Sequence, residues 1–106
     1  MAQAQISQVA CHFPENVLGN EELAELYSGW TPQSIEEKLG VRTRPIAGED
    51  ETSADLAVRA GENLFARGDC SAKDIDFLIF CTQEPDYLLP SSACLIQDRL
   101  GIPKTA

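Results

Sequence analysis

Histidine is nearly missing from this sequence, and its cysteines never fall in a close pair. His12 is the one histidine, and Cys11, Cys70, Cys81 and Cys94 form no C-x-x-C unit. Structural zinc sites draw on such close pairs, so no metal is expected. The four thiols are read as free, buried, small apolar residues of a reducing compartment. Basic residues are also few, with 8 Lys plus Arg against 17 Asp plus Glu and a net charge of −9. Phosphate backbones are gripped by clustered Lys and Arg, so neither nucleic acid nor an anionic membrane is an expected partner. No apolar run has the length of a membrane-spanning helix. The opening Met1-Ala2-Gln3-Ala4-Gln5 has neither the basic nor the apolar region of a secretory leader, and a cytoplasmic location is expected. The glycines are scattered, so there is no Gly-rich phosphate loop.

What the sequence does hold is enough for one domain with a modest core, at 106 residues and 43% apolar. Phe77-Leu78-Ile79-Phe80-Cys81 is an unbroken apolar run between polar residues, read as a strand covered on both faces. Pro90 to Gly101 reads as a helix with Pro90 at its start, Ala93, Ile96, Gln97 and Leu100 on one side, and Gly101 as its stop. Earlier, Gln5 to Cys11 alternates weakly, as a strand does. Asn20 is placed as the N-cap of a short helix over Glu21 to Tyr27. Thr31-Pro32 opens a second short helix that runs to about Leu39 and closes at Gly40. Val41 to Ile46 looks extended. Thr52-Ser53-Ala54-Asp55 has the form of a capping box with Asp in place of Glu. The helix after it, Ser53 to Arg67, carries a stripe of Leu56, Ala57, Ala60, Leu64 and Phe65. A helix between two apolar strands implies a crossover unit and an α/β class. No linker divides the chain. One central strand with one or two others cannot easily cover itself, so the chain is expected either to self-associate or to be one piece of a larger protein.

Candidate chemistry is thin. Cys94 lies about one turn into a helix, where the dipole lowers a thiol pKa, but structural burial is the preferred reading for it and for Cys81. Glu84 and Asp86, either side of Pro85, are read as solvated turn residues rather than an acid–base pair. Lys38, Arg42 and Arg44 form the densest basic group and could take a phosphate or carboxylate. Pairing with Glu36, Glu37, Asp50 and Glu51 is the favoured alternative. Trp30 could stack on a flat ligand or simply pack.

Five blocks, in order, match a known family. They are Phe13-Pro14-Glu15 with Asn20 and Leu23; Leu39 to Ala47; Glu51 to Ala57; Asp74 to Thr82; and Pro90 to Gly101. Together they resemble the N-terminal part of 3-oxoacyl-[acyl-carrier-protein] synthase III, within the thiolase-like superfamily. The resemblance spans nearly all of this chain but only about a third of a typical member.

The resemblance implies an α/β fold, part of the N-terminal half of a thiolase-like mixed sheet flanked by helices, with residues 1–106 as one fragment of that domain. It implies a decarboxylating Claisen condensation of an acyl-CoA with malonyl-carrier protein, in fatty acid or related polyketide synthesis. It implies a homodimer, with coenzyme A thioester as substrate and no cofactor. The family's catalytic Cys, His and Asn match no residue here, so the chain alone is expected to be inactive. In the family, a Trp-Ile pair followed by Arg-Thr-Gly helps to bind coenzyme A. Aligned on Gly40, those positions are Ser34, Ile35, Lys38 and Leu39. The stacking Trp is therefore absent from its place, and Trp30, one helical turn earlier, is the expected substitute. Trp30, Ser34, Lys38 and Arg42 are the expected substrate-binding residues, with Leu89 at the position that borders the partner's acyl pocket. The alternatives are a non-catalytic interaction or oligomerisation module of the same fold, and another condensing enzyme of the superfamily.

Overall fold

A computed structural model describes residues 3–106. They divide into two compact units, one formed by residues 13–50 and the other by the residues up to His12 and from Glu51 onward.

The 13–50 unit is a two-stranded antiparallel ribbon that brackets two helices. Strand β1, Asn16–Gly19, pairs with β2, Thr43–Ile46, with Leu18 opposite Arg44 and Gly19 opposite Thr43. Helix α1, Asn20–Leu26, follows β1 directly, and α2, Pro32–Leu39, precedes β2. The start of α2 is local chemistry. The Thr31 hydroxyl accepts from the Ser34 amide at 3.1 Å, and the Ser34 hydroxyl accepts from the Thr31 amide at 2.9 Å. Pro32 fills the first turn, where no N–H is needed. The helix stops at Gly40, whose φ of +67° is the left-handed conformation that L side chains avoid. Ile35, 2% exposed, is the apolar centre of this unit.

Asn20 occupies a different place from the expected cap. Gly19 is the N-cap of α1, and Asn20 is buried at 3% exposure. Its Nδ2 donates to the Val41 carbonyl at 2.8 Å, its Oδ1 accepts from Arg44 Nη2 at 2.8 Å, and its backbone N–H donates to the Arg42 carbonyl at 3.2 Å. The chain returns past α1 at residues 41–44, and Asn20 satisfies the polar groups this return would leave unpaired.

The other unit packs helix α3, Ser53–Ala66, on α4, Ser92–Arg99. The expected capping box is present, with the Thr52 hydroxyl accepting from the Asp55 amide at 3.2 Å and Asp55 Oδ2 accepting from the Thr52 amide at 2.8 Å. Ala54, Val58 and Ile96 form the core, joined by Ala57, Leu78, Phe80 and Leu100. The inward face of α3 therefore runs Ala54, Ala57, Val58. The expected stripe found Ala57 but omitted Ala54 and Val58, its two most buried residues. Small residues face α4, and a Cβ on Gly61 would stand 2.6 Å from Leu100 Cδ1. Helix α4 begins at Ser92, not Pro90, which follows a cis Leu89–Pro90 bond outside the helix.

Residues 77–81 also depart from expectation. Leu78 and Phe80 pack on the core, while Phe77 and Ile79 are 76% and 78% exposed. The burial alternates with period two, as extended backbone requires. One face is covered by the helices and the other is bare. Neither this stretch nor Gln5 to Cys11 is paired into a sheet among the described residues, whose one sheet is β1–β2. A ladder needs a partner backbone, and the expected crossover between parallel strands does not form. Nor are the thiols all buried: Cys11, Cys81 and Cys94 are exposed and only Cys70 is half-buried.

Candidate functional site

Two exposed places carry the residues singled out from the sequence, one in each unit. In the 13–50 unit, Trp30 lies in the connection between α1 and α2, immediately before the cap residue Thr31. It is thus not one helical turn from Ser34 on a shared face, because the helix has not begun at residue 30. Its indole is 41% exposed, and the Lys38 Nζ sits 4.5 Å from the ring centroid. That is within cation–π range. Beside them, Leu23, Tyr27, Trp30, Ile35 and Leu39 line an open cleft of about 240 Å³. The Ser34 hydroxyl is engaged in the capping box, accepting from the Thr31 amide and donating to the Thr31 carbonyl.

The basic group splits in two. Arg42 is a surface residue whose Nε donates to Glu36 Oε1 at 2.7 Å. That hydrogen bond and the carboxylate's charge raise the guanidinium pKa further above its ordinary value. The Arg42 side chain is 82% exposed, so its other donors face solvent. Arg44 turns inward to Asn20, and its Nη1 is buried without a partner. Lys38 and Arg42 remain as exposed cations, and Arg44 leaves the group. Asn20, which organises the backbone before Arg42, was missed. Its partners lie 12 to 24 residues away, beyond any local pattern.

In the other unit, Leu89 is 86% exposed beside Leu88 at 96% and Tyr87 at 61%. Asp86, expected as a solvated turn residue, is instead half-buried and bonded to the start of α3. Its carboxylate accepts from the Thr52 hydroxyl at 2.8 Å and from the Ala54 amide at 3.3 Å. Cys94 Sγ is 3.4 Å from the Ser91 hydroxyl. The imidazole of His12 stands 4.0 Å from Glu51. Asp55 is held below the usual carboxylate range, first by the Thr52 amide, then by Arg99 and the Thr52 hydroxyl. Nothing in this set pairs a nucleophile with a base.

No family model matches the chain. It is 40% identical to the beta-ketoacyl-[acyl-carrier-protein] synthase III of Streptococcus sanguinis, over 95% of this chain and 31% of that protein. Among solved structures, a 3-oxoacyl-(acyl-carrier-protein) synthase III superposes with a TM-score of 0.86 at 52% identity, over 95% of this chain and 30% of the other. The synthase III of Thermus thermophilus superposes with a TM-score of 0.83 at 33% identity, over 93% and 30%. The chain spans about 30% of the length of the curated relatives it matches. It is a homologue of the N-terminal portion of 3-oxoacyl-[acyl-carrier-protein] synthase III and carries the corresponding part of the thiolase-like α/β fold.

Proposed function

We propose that this chain supplies part of the coenzyme A-binding surface of a condensing acyltransferase. The whole protein would join an acyl-CoA to malonyl-carrier protein, giving a 3-oxoacyl-carrier protein, as a homodimer in the cytoplasm. The observation that carries this reading is the likeness to synthase III along 95% of the chain, in sequence and in backbone. The catalytic Cys, His and Asn of that chemistry have no counterpart here, and the 106 residues alone, as one fragment of the synthase domain, make no product.

Lys38 and Arg42 then meet the phosphates of coenzyme A, as point charge and as fork. Trp30 offers one indole face to the adenine while Lys38 covers the other. Ser34 shapes the site through the helix cap and makes no stack. Leu89 forms an apolar wall of the acyl pocket in the partner subunit. The displaced stacking residue fits an acyl donor other than the ordinary acetyl primer.

Trp30 is the only tryptophan, so its emission reports on this site directly. Coenzyme A is expected to quench it saturably, and Lys38→Glu together with Arg42→Glu should weaken binding at least about tenfold, since charged contacts contribute about 1.5–3 kcal/mol. An emission that ignores coenzyme A refutes the site. Any 3-oxoacyl product made by the chain from acyl-CoA and malonyl-carrier protein refutes the missing catalytic set.

A further inference from the structure

The segment 87–89 is both exposed and held. Tyr87, Leu88 and Leu89 are all well exposed, and apolar side chains on a free loop would ordinarily collapse onto a surface. The residue before them is fixed from two sides. Asp86 Oδ2 accepts from the Thr52 hydroxyl at 2.8 Å, and Oδ1 accepts from the Ala54 amide at 3.3 Å and lies 3.5 Å from the Ser53 hydroxyl. The Ser53 hydroxyl also donates to the Glu84 carbonyl at 2.8 Å. From the other side, the Asp86 amide donates at 3.2 Å to the hydroxyl of Ser92, the buried first residue of α4. One residue thereby ties the loop to the N-terminal ends of both core helices, across 32 to 34 residues in one direction and 6 in the other. A carboxylate suits this place, because the first amides of α3 have no partner within the helix and favour negative charge.

We propose that Asp86 is the positioning residue for the Tyr87–Leu88–Leu89 segment and, through it, for the acyl-pocket wall that Leu89 forms. The last clause rests on the synthase III reading above. Asp86 touches no substrate; it sets where the exposed side chains stand. The conservative change Asp86→Asn keeps one acceptor oxygen in place of two, so only one of the bonds from Thr52 and Ala54 survives, whereas Asp86→Ala keeps neither.

Two measurements separate the proposal from the reading beneath it. The first is limited chymotrypsin digestion of this chain, following cleavage after Tyr87 and Leu88 against cleavage after Tyr27 in the other unit. Asp86→Ala is expected to raise that ratio roughly tenfold, since local opening governs such cleavage, and Asp86→Asn, with one of the two acceptors left, should restore part of the protection. Ser53→Ala, a milder change at the same clasp, should raise it less and serves if Asp86→Ala does not fold. An unchanged ratio, or no recovery in Asp86→Asn, overturns the proposal. The second is the ratio of kcat/KM for a long and a short acyl-CoA in the whole condensing enzyme. It should shift in Asp86→Ala in the same direction as in Leu89→Ala, with the double variant adding nothing. If protection falls but the acyl ratio holds, Asp86 still positions the loop, and Leu89 as a pocket wall is the part that fails.

Discussion

Replacing Asn20 with Ala tests how the 13–50 unit is built. The side chain is 3% exposed and serves two partners on the returning chain, the Val41 carbonyl and Arg44 Nη2, each at 2.8 Å. Alanine abandons both at part-buried positions. A buried polar group left unpaired costs about 1–3 kcal/mol, more when charged. Arg44 has nothing in reserve, since its Nη1 is already buried without a partner. The two losses together come to about 3–5 kcal/mol, against the ~5–15 kcal/mol of a whole small domain. Asn20→Asp discriminates the two terms. It keeps an acceptor for Arg44 and loses the donor to the Val41 and Pro32 carbonyls, so it should cost about 1–3 kcal/mol. Urea unfolding followed by the emission of Trp30 reads this unit specifically, because no other tryptophan contributes. If Asn20→Ala unfolds within about 0.5 kcal/mol of the parent, the size of an ordinary surface change, the buried clamp is not what holds the unit. If Asn20→Asp costs as much as Asn20→Ala, the Arg44 half of the account is wrong.

Two further outcomes follow from the α3–α4 contact and its cap. Gly61→Ala places a methyl 2.6 Å from Leu100 and should destabilise the chain, although Ala is the better helix former; in a Leu100→Ala background the same change should stabilise by about 0.5–1 kcal/mol. Additive effects in thermal melts of the four variants would remove the steric argument. Asp55 has a folded pKa below its unfolded value, so its contribution is complete above about pH 4, near the unfolded carboxylate value, and declines as pH falls through the lower folded pKa. The parent should therefore lose more stability than Asp55→Asn as pH drops from about 5 to 2. Parallel curves for the two would show that the Thr52 and Arg99 bonds to Asp55 contribute nothing.

Much of the local architecture was legible in the residues. Thr31-Pro32 and Thr52 through Asp55 mark where α2 and α3 begin, and Gly40 and Gly101 mark where helices stop. These signals act over three or four residues, so a sequence displays them whatever the chain does later. The five blocks that resemble synthase III were legible for the same reason: they are strings, and the likeness in backbone follows them. Counting from Gly40 sets Ser34 where the resemblance expects a stacking Trp, yet counting could not reveal that its hydroxyl is occupied by the helix cap.

What only the tertiary structure decided depends on partners far apart in the chain. The sequence offers Asn20 as a cap and Asp86 as a turn residue, because each has that local propensity. Their actual roles depend on Val41 and Arg44 in one case and on Thr52, Ala54 and Ser92 in the other. Period-two burial could be anticipated for residues 77–81 only if one knew which face met a helix. Leu78 and Phe80 face the Ala54–Val58–Ile96 core, and Phe77 and Ile79 do not. The composition of the run is the same on both faces, so packing alone assigns inside and outside. The residues determined where the helices start and stop and which family they resemble; three-dimensional proximity decided which polar side chains hold each unit together internally, because a hydrogen bond depends on distance in space and not on distance along the chain.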